Sequence, residues 1–177
     1  SAKTRYSEQM MDSIGEGTDW QEYAFVKNAP VQSHNLSYSG GTEKSTFSSS
    51  LSYFNQDGIV GEEGKSNYER ISIRINSDHK VYKDIVKIGE NLVYSHSNKT
   101  GVGIGNIWGN GNILRGFLNA SPLFQPYDNS QSDGFTRSWV DQYDANPVAQ
   151  MHYADNSWNK DDKILGNIYT DINILKS

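Results

Sequence analysis

The residues of this 177-residue sequence that could carry chemistry are its histidines, carboxylates and aromatic rings. The four histidines, His34, His79, His96 and His152, are scattered without the spacing of metal ligands. No Gly-x-Ser-x-Gly motif supplies a hydrolase nucleophile. The glycine-rich stretch 101–105 lacks the Gly-Lys-Ser/Thr ending of a phosphate loop. We therefore predict a protein that is not an enzyme and that holds no metal or cofactor.

The acidic residues of segment 101–162 leave two alternatives open. Hydrolysis of a glycosidic bond needs two carboxylates on opposite sides of that bond, and proximity in sequence does not establish such a pair. Oxygen ligands also suit Ca²⁺, but the ligand order and the glycine of an EF-hand are absent. Solvated loop acids are the simpler interpretation. The carboxylates concerned are Asp141, Asp144, Asp155, Asp161 and Asp162, and the candidate calcium ligands are Asp155, Asn156, Asn159 and Asp161.

Aromatic residues in the same segment are the candidates for contact with a ligand. An aromatic face offers a large contact area with a polar edge, which suits a sugar ring or a partner protein. The alternative is that these rings pack the segment onto itself. The six candidates are Trp108, Phe124, Tyr127, Trp139, Tyr143 and Trp158.

Composition excludes several classes of protein. Charged residues make up 21% and the net charge is -5, so no broad basic surface is expected and no nucleic-acid partner is predicted. Cys is absent, which rules out disulfides and thiolate metal sites. No apolar run approaches the roughly 20 residues of a membrane helix. Few aliphatic residues with 12% aromatics indicate strands joined by polar loops.

A hydrophobic period of two follows Pro30 and predicts five amphipathic strands. We expect four antiparallel strands in 31–100 and a further strand in 163–177, separated by a long loop over 101–162. Residues 1–30 form another loop region, and short helical pieces are expected near Tyr6–Ile14 and Asn112–Asn119. The predicted apolar face comprises Phe47, Leu51, Tyr53, Ile71, Ile73, Ile75, Ile88, Leu92, Ile168 and Ile172.

Two all-β architectures produce this alternation. In a soluble sandwich the apolar face covers a core. In a transmembrane barrel that face contacts lipid, and short turns alternate with long loops. A structureless loop as long as 101–162 is uncommon in a compact soluble domain, which favours the barrel. Glu90 is awkward in both architectures, because it shares the face of Ile88 and Leu92.

Eight stretches together carry a family resemblance. They are residues 17–30 (GTDWQEYAFVKNAP), 31–45 (VQSHNLSYSGGTEKS), 52–60 (SYFNQDGIV), 67–70 (NYER), 74–78 (RINSD), 86–89 (VKIG), 165–169 (LGNIY) and 174–176 (ILK). In combination they resemble the early barrel region of the SusC/RagA-type TonB-dependent transporters of Bacteroidetes. The resemblance is weakest in residues 1–16 and 101–162.

The resemblance implies a fragment of a plugged outer-membrane barrel that imports oligosaccharides or peptides. It also implies a SusD-like surface lipoprotein and the TonB system as partners, and the bacterial outer membrane as the location. We expect the chain to be cut from a longer protein, because the plug and most barrel strands are missing. The other interpretation is a soluble carbohydrate-binding β-sandwich.

Loop lengths predict the orientation of such a fragment. Long loops face outward, so the strand from Val31 should run inward to Gly40 and Gly41, with the first barrel strand lying upstream of Ser1. Residues 1–30 and 101–162 would then be extracellular, and the chain would end near the periplasmic rim. An open sheet exposes two strand edges and an apolar face, so the isolated fragment is expected to self-associate.

Overall fold

The computed structural model describes residues 7–82, 85–102, 112–137, 145–154 and 156–174. The candidates Trp108, Trp139 and Tyr143 lie outside these ranges. The described residues group into two compact units. The loop unit comprises those within 1–28, 58–66 and 101–157, and the sheet unit comprises those within 29–57, 67–100 and 158–177.

Five strands in sequential order form one open sheet. They are β1 (Val31–Gly41), β2 (Ser45–Asp57), β3 (Asn67–Tyr82), β4 (Val86–Val102) and β5 (Asn156–Ile172). The pairs β1–β2, β2–β3 and β3–β4 are antiparallel. Contacts of Asn91 with Asn167 and of Tyr94 with Asp162 show that β5 also runs antiparallel to β4. The predicted five-stranded antiparallel architecture is therefore confirmed at the level of an all-β sheet.

The register places the alternating residues of each strand on two chemically different faces. Leu36, Leu51, Ile73 and Tyr94 are directly opposite one another across β1 to β4, so they lie on the same face. We call this the apolar face, and all ten residues of the predicted apolar set lie on it. The other face, which we call the polar face, carries Ser50, Ser52, Ser72, Arg74, Ser95 and their alternating neighbours.

The side chains of the apolar face are open to the surroundings. On the inner strands, Ile73 is 40% exposed and Leu92 is 43% exposed. On the two outermost strands, Leu36 reaches 69% and Ile168 reaches 78%. Outer strands have a neighbour on one side only, which explains the difference. In the described residues, no second sheet was found against this one.

Four short helices lie in the loop unit: α1 (Glu8–Ile14), α2 (Trp20–Ala24), α3 (Ile113–Asn119) and α4 (Pro147–Tyr153). Helices α1 and α3 agree with the sequence prediction, whereas α2 and α4 were not predicted. Side chains of Asp19, Asn112 and Asn146 accept hydrogen bonds from the first backbone amides of α2, α3 and α4. Such N-caps stabilise helices that are too short to form alone.

The loop unit has a small hydrophobic core of its own. Trp20 packs edge-on against Phe124 with ring centroids 5.2 Å apart, and its indole N–H donates to Ser121 O at 2.9 Å. The core consists of Trp20, Ala24, Val102, Ile113, Phe117, Phe124, Phe135, Val148 and Met151. The loop segments 7–28, 58–66 and 112–154 thus contain ordered, packed structure wherever they are described.

Strand boundaries differ from the prediction at two places. Strand β5 begins at Asn156, so residues 156–162, assigned to the long loop, belong to the sheet. Strand β3 continues to Tyr82, well beyond the alternating Ile71, Ile73 and Ile75 that predicted this strand. In both places polar residues occupy both faces of the strand, so the sequence shows no alternation of apolar and polar residues. Polar side chains are tolerated on both faces because both faces of the sheet are exposed.

Candidate functional site

The apolar face of the sheet is the first candidate functional surface. Ile71, Ile73 and Ile75 occupy successive positions of this face on the central strand β3. Their partners on the neighbouring strands include Tyr53, Leu51 and Leu92. The result is a continuous apolar band across the whole sheet, far larger than a scatter of single exposed hydrophobic residues.

Two tyrosines mark one border of this band. The Tyr53 hydroxyl donates to the Glu69 carboxylate at 3.2 Å, and the Tyr94 hydroxyl donates to Asp162 at 2.8 Å. Each ring therefore lies on the apolar band while its hydroxyl reaches a polar row at the end where the long loops begin. Tyrosine is suited to such a border because one end of the side chain is apolar and the other is polar.

The opposite border explains the awkward position of Glu90. The Ser77 hydroxyl donates to the Glu90 carboxylate at 3.0 Å. Ser77 also contacts His79 Nε2 at 3.1 Å, and His79 Nδ1 contacts Ser45 Oγ at 3.0 Å. Glu90 thus belongs to a polar chain across β2, β3 and β4, near the short turns. Ile88 is the next residue on the same face of β4, so an apolar side chain lies beyond this polar chain at the border of the band.

The polar face contains charged groups that are paired at the β4–β5 side. Asp78 accepts a hydrogen bond from the Tyr169 hydroxyl and forms an ion pair with Lys87 at 3.1 Å. Lys163 pairs with Asp161 at 3.0 Å on the same strand. Hydroxyl and amide side chains fill much of the remaining surface, with Phe54 and Val93 among the apolar exceptions.

An aromatic cluster in the loop unit is the second candidate surface. Tyr23 and Tyr127 have ring centroids 6.1 Å apart, Tyr127 lies 5.7 Å from Phe135, and Phe135 lies 5.8 Å from Tyr153. Phe135 is buried, whereas Tyr23, Tyr127 and Tyr153 are 38%, 53% and 61% exposed. We call these three tyrosines the tyrosine surface. It presents phenol rings and hydroxyls above a buried aromatic support.

Hydrogen bonds fix the backbone beneath the tyrosine surface. Residues 127 and 135 form an antiparallel bridge around a turn in which Asp128 accepts from the Ser130 amide at 2.9 Å and from its hydroxyl at 2.7 Å. These donors lower the pKa of Asp128. Burial, followed by the charge of Glu62, raises the pKa of Tyr127. Both effects favour the protonated hydroxyl, which can donate a hydrogen bond.

The histidine beside this surface is also anchored. His152 lies 5.3 Å from Phe135 by ring centroids, and its Nδ1 is 3.3 Å from the Glu62 carboxylate. The Lys65 ammonium donates to the carbonyls of Met151 and His152 at 3.3 and 3.0 Å, at the C-terminal end of α4, where a cation is favourable. The segment 58–66 is thereby joined to α4.

The structure separates the candidates that were grouped by sequence. Phe124 is 6% exposed and belongs to the loop core, whereas Tyr127 belongs to the tyrosine surface. Trp158 lies on β5 and is 71% exposed, with the Lys160 ammonium 5.7 Å from its ring. Tyr23 and Tyr153 were not predicted, because their sequence positions give no sign that they meet Tyr127.

Two further observations concern the described residues. In the described ranges, no group of three or more acidic or histidine side chains is arranged to hold a metal ion. Among the same residues, no helix is long and apolar enough to span a membrane. The two candidate surfaces are the apolar face of the sheet and the tyrosine surface of the loop unit.

An amphipathic antiparallel sheet combined with a packed loop unit defines the structural class. No protein-family model matches the chain. Over 97 residues, which are 55% of this chain, the sequence is 35% identical to the TonB-dependent receptor P3 of Formosa agariphila. The match covers 9% of that protein. This similarity supports a relationship, over the matched part of the chain, to TonB-dependent receptors, a class of outer-membrane proteins.

Proposed function

We propose that this chain is part of the barrel wall and extracellular loops of a SusC/RagA-type TonB-dependent transporter in the bacterial outer membrane. The observation that carries the proposal is the continuous apolar band on one face of a single sheet whose other face is polar. In this proposal the apolar face contacts the lipid bilayer and the polar face lines the lumen.

Strand length supports a membrane-spanning role. A tilted strand needs about 9–11 residues to cross the hydrocarbon core. Strands β1 and β2 have 11 and 13 residues, and β4 and β5 have 17 each. A soluble sandwich would need a second layer over the apolar face. The 40% exposure of Ile73 on the central strand supports the proposal, since it leaves this side chain open to lipid.

The proposed role is import and involves no catalytic step. The loop unit is placed outside the cell, where the tyrosine surface contacts an oligosaccharide or peptide nutrient. Tyrosine rings suit this task because they combine rigid contact area with a hydrogen-bonding edge. The proposed partners are a SusD-like surface lipoprotein, which covers the opening, and the TonB system, which supplies energy.

Spin labels test which face meets lipid. Ile73→Cys and Ser72→Cys are adjacent positions on opposite faces of β3, so each is a matched control for the other. In the intact gene product, reconstituted in vesicles, we expect a label at 73 to be accessible to lipid-soluble oxygen and shielded from a water-soluble nickel complex. The label at 72 should show the reverse. Equal accessibility at both positions would refute a lipid-facing apolar face.

The size and location of the native gene product provide a second test. An antibody against this segment should detect a band near 100 kDa or above in outer-membrane fractions, as expected for a large plugged barrel. A soluble band near 20 kDa, the mass of this chain, would contradict the transporter proposal. It would instead favour the carbohydrate-binding sandwich.

A further inference from the structure

A groove lies on the apolar face of the sheet, where β4 and β5 meet. Its volume is about 530 Å³, and its apolar sides are formed by Ile75, Leu92 and Ile168. Gly166 leaves a gap between the side chains of β5, where an added Cβ would lie 3.3 Å from Leu92 Cδ1 and 3.4 Å from the carbonyl oxygen of Asn91. The floor of the groove is therefore backbone, and an extended hydrocarbon chain can lie against it.

Glu90 supplies a carboxylate to the same groove. The Ser77 hydroxyl donates to Glu90 Oε1 at 3.0 Å. A hydroxyl has one proton to donate, so the 3.1 Å contact between His79 Nε2 and Ser77 Oγ has the imidazole N–H as its donor. Glu90 is thus the acceptor at the end of a hydrogen-bond chain that runs from His79 through Ser77. This chain holds the carboxylate in place beside the groove.

The neighbours of Glu90 belong to this chain and include no basic side chain in an ion pair with it among the described residues. Ser77 on β3 lies to one side and Ile168 on β5 to the other, because β4 is between these two strands. Lys87 lies on the polar face, where it pairs with Asp78. In the proposed barrel the open side of Glu90 faces lipid, where an unpaired charge is costly. The counter-charge is therefore expected to come from the lipid.

We propose that Glu90 and this groove form a binding site for phosphatidylethanolamine. The primary ammonium of its headgroup has three N–H donors and can form charge-assisted hydrogen bonds with the carboxylate, while an acyl chain lies in the groove. A choline headgroup has no N–H donor, and a glycerol headgroup has no positive charge. The inference rests on the proposed function, in which the apolar face contacts lipid, and adds the selection of one lipid class.

Native mass spectrometry of the intact gene product in detergent tests this site. The probes are phosphatidylethanolamine, phosphatidylcholine and phosphatidylglycerol with identical acyl chains, each added over the same range of concentrations. The wild type should bind phosphatidylethanolamine about tenfold more tightly than the other two lipids, because only its headgroup offers N–H donors on a cation. Equal binding of phosphatidylethanolamine and phosphatidylcholine would overturn the proposal.

Three variants separate the headgroup contact from the acyl-chain contact. Glu90→Gln keeps the shape and removes the charge, so it should weaken phosphatidylethanolamine binding about tenfold and leave phosphatidylcholine binding unchanged. Gly166→Leu fills the groove and should weaken binding of all three lipids. Glu69→Gln is the matched control, because the Glu69 carboxylate lies on the same face outside the groove, where it accepts from Tyr53. This control should bind the three lipids as the wild type does.

The results distinguish this inference from the proposed function. Phosphatidylethanolamine binding that is unchanged in Glu90→Gln would overturn the lipid site. A dimer that Glu90→Gln dissociates would assign the groove to a second copy of the protein and would also overturn it. Outer-membrane fractionation of the wild type is measured in parallel. A protein in the outer membrane without the lipid preference disproves the site alone, whereas a protein outside that membrane disproves the transporter whether or not it prefers phosphatidylethanolamine.

Discussion

The ring of Tyr169 on β5 lies directly over Gly89 on β4. A side chain at position 89 would collide with that ring. The Tyr169 hydroxyl donates to Asp78 on β3, and the Lys87 ammonium lies 6.0 Å from the ring centroid. One tyrosine therefore fixes the position of β5 relative to both β4 and β3.

We predict that Gly89→Ala weakens the attachment of β5. The new Cβ would displace the Tyr169 ring and with it the hydrogen bond to Asp78. Amide hydrogen exchange in β5 should accelerate in this variant, with little change in β2. Gly166→Ala is the control, since its Cβ would meet the flexible end of Leu92 at 3.3 Å and should be tolerated. Equal exchange in the two variants would contradict this role of Tyr169.

A charge on the apolar face should oppose membrane insertion. Ile73→Arg places a guanidinium near the centre of the apolar band, where a lipid environment penalises it by about 2–4 kcal/mol. Ser72→Arg adds the same charge on the polar face and should have little effect. Denaturant unfolding of the intact gene product from lipid vesicles measures both. Similar losses of unfolding free energy for the two variants would argue against contact between Ile73 and lipid.

Asn146 should be a sensitive position of the loop unit. Its side-chain amide donates to Pro126 O at 2.7 Å and Thr136 O at 3.2 Å, and its oxygen caps α4 by accepting from Val148 N at 3.0 Å. Asn146→Ala should lower the free energy of local opening by about 2–4 kcal/mol. Asn146→Ser, which keeps a capping oxygen, should cost about 1 kcal/mol less.

Hydrogen exchange at the amide of Val148 measures that free energy. Asn119→Ala, at an exposed position of α3, is the control and should leave the exchange rate unchanged. If the Val148 amide exchanged at the same rate in Asn146→Ala as in the wild type, the side-chain hydrogen bonds of Asn146 would not stabilise the loop unit.

Acid should loosen the turn that supports Tyr127. Hydrogen bonds from Ser130 hold the pKa of Asp128 below its ordinary value of 3.8. Because the folded pKa is the lower one, this stabilisation is present above the unfolded pKa and is lost as pH falls through the folded pKa. Amide exchange at residues 128–134 should accelerate in that acidic range, and Asp128→Asn should remove the pH dependence.

A carboxyl titration followed by NMR gives the direct measurement. Ser130→Ala removes the hydroxyl donor, so the Asp128 midpoint should rise toward its ordinary value. A midpoint that is identical in the wild type and Ser130→Ala would show that the hydroxyl does not contribute.

The sequence by itself determined the faces of the sheet. A strand turns its side chains alternately to either side, so Ile71, Ile73 and Ile75 had to share one face whichever strands lay beside them. Local sequence signals also predicted α3 after Asn112. The turn expected at Gly40 and Gly41 lies instead at residues 42–44, because both glycines pair with β2. Lipid contact by the apolar face remains a prediction, because alternation specifies a face and does not identify what covers it.

Tertiary structure decided what meets across the chain. Tyr23, Tyr127 and Tyr153 come together because α2, the turn at 128–134 and α4 pack on one small core, and no local pattern encodes that meeting. Phe124 was drawn into the core by Trp20 instead of remaining on the surface. The partners of Glu90 likewise depended on the register between β3 and β4, which places Ser77 beside it. These relationships arise from packing and strand pairing between distant segments, and physical rules that act along the chain cannot supply them.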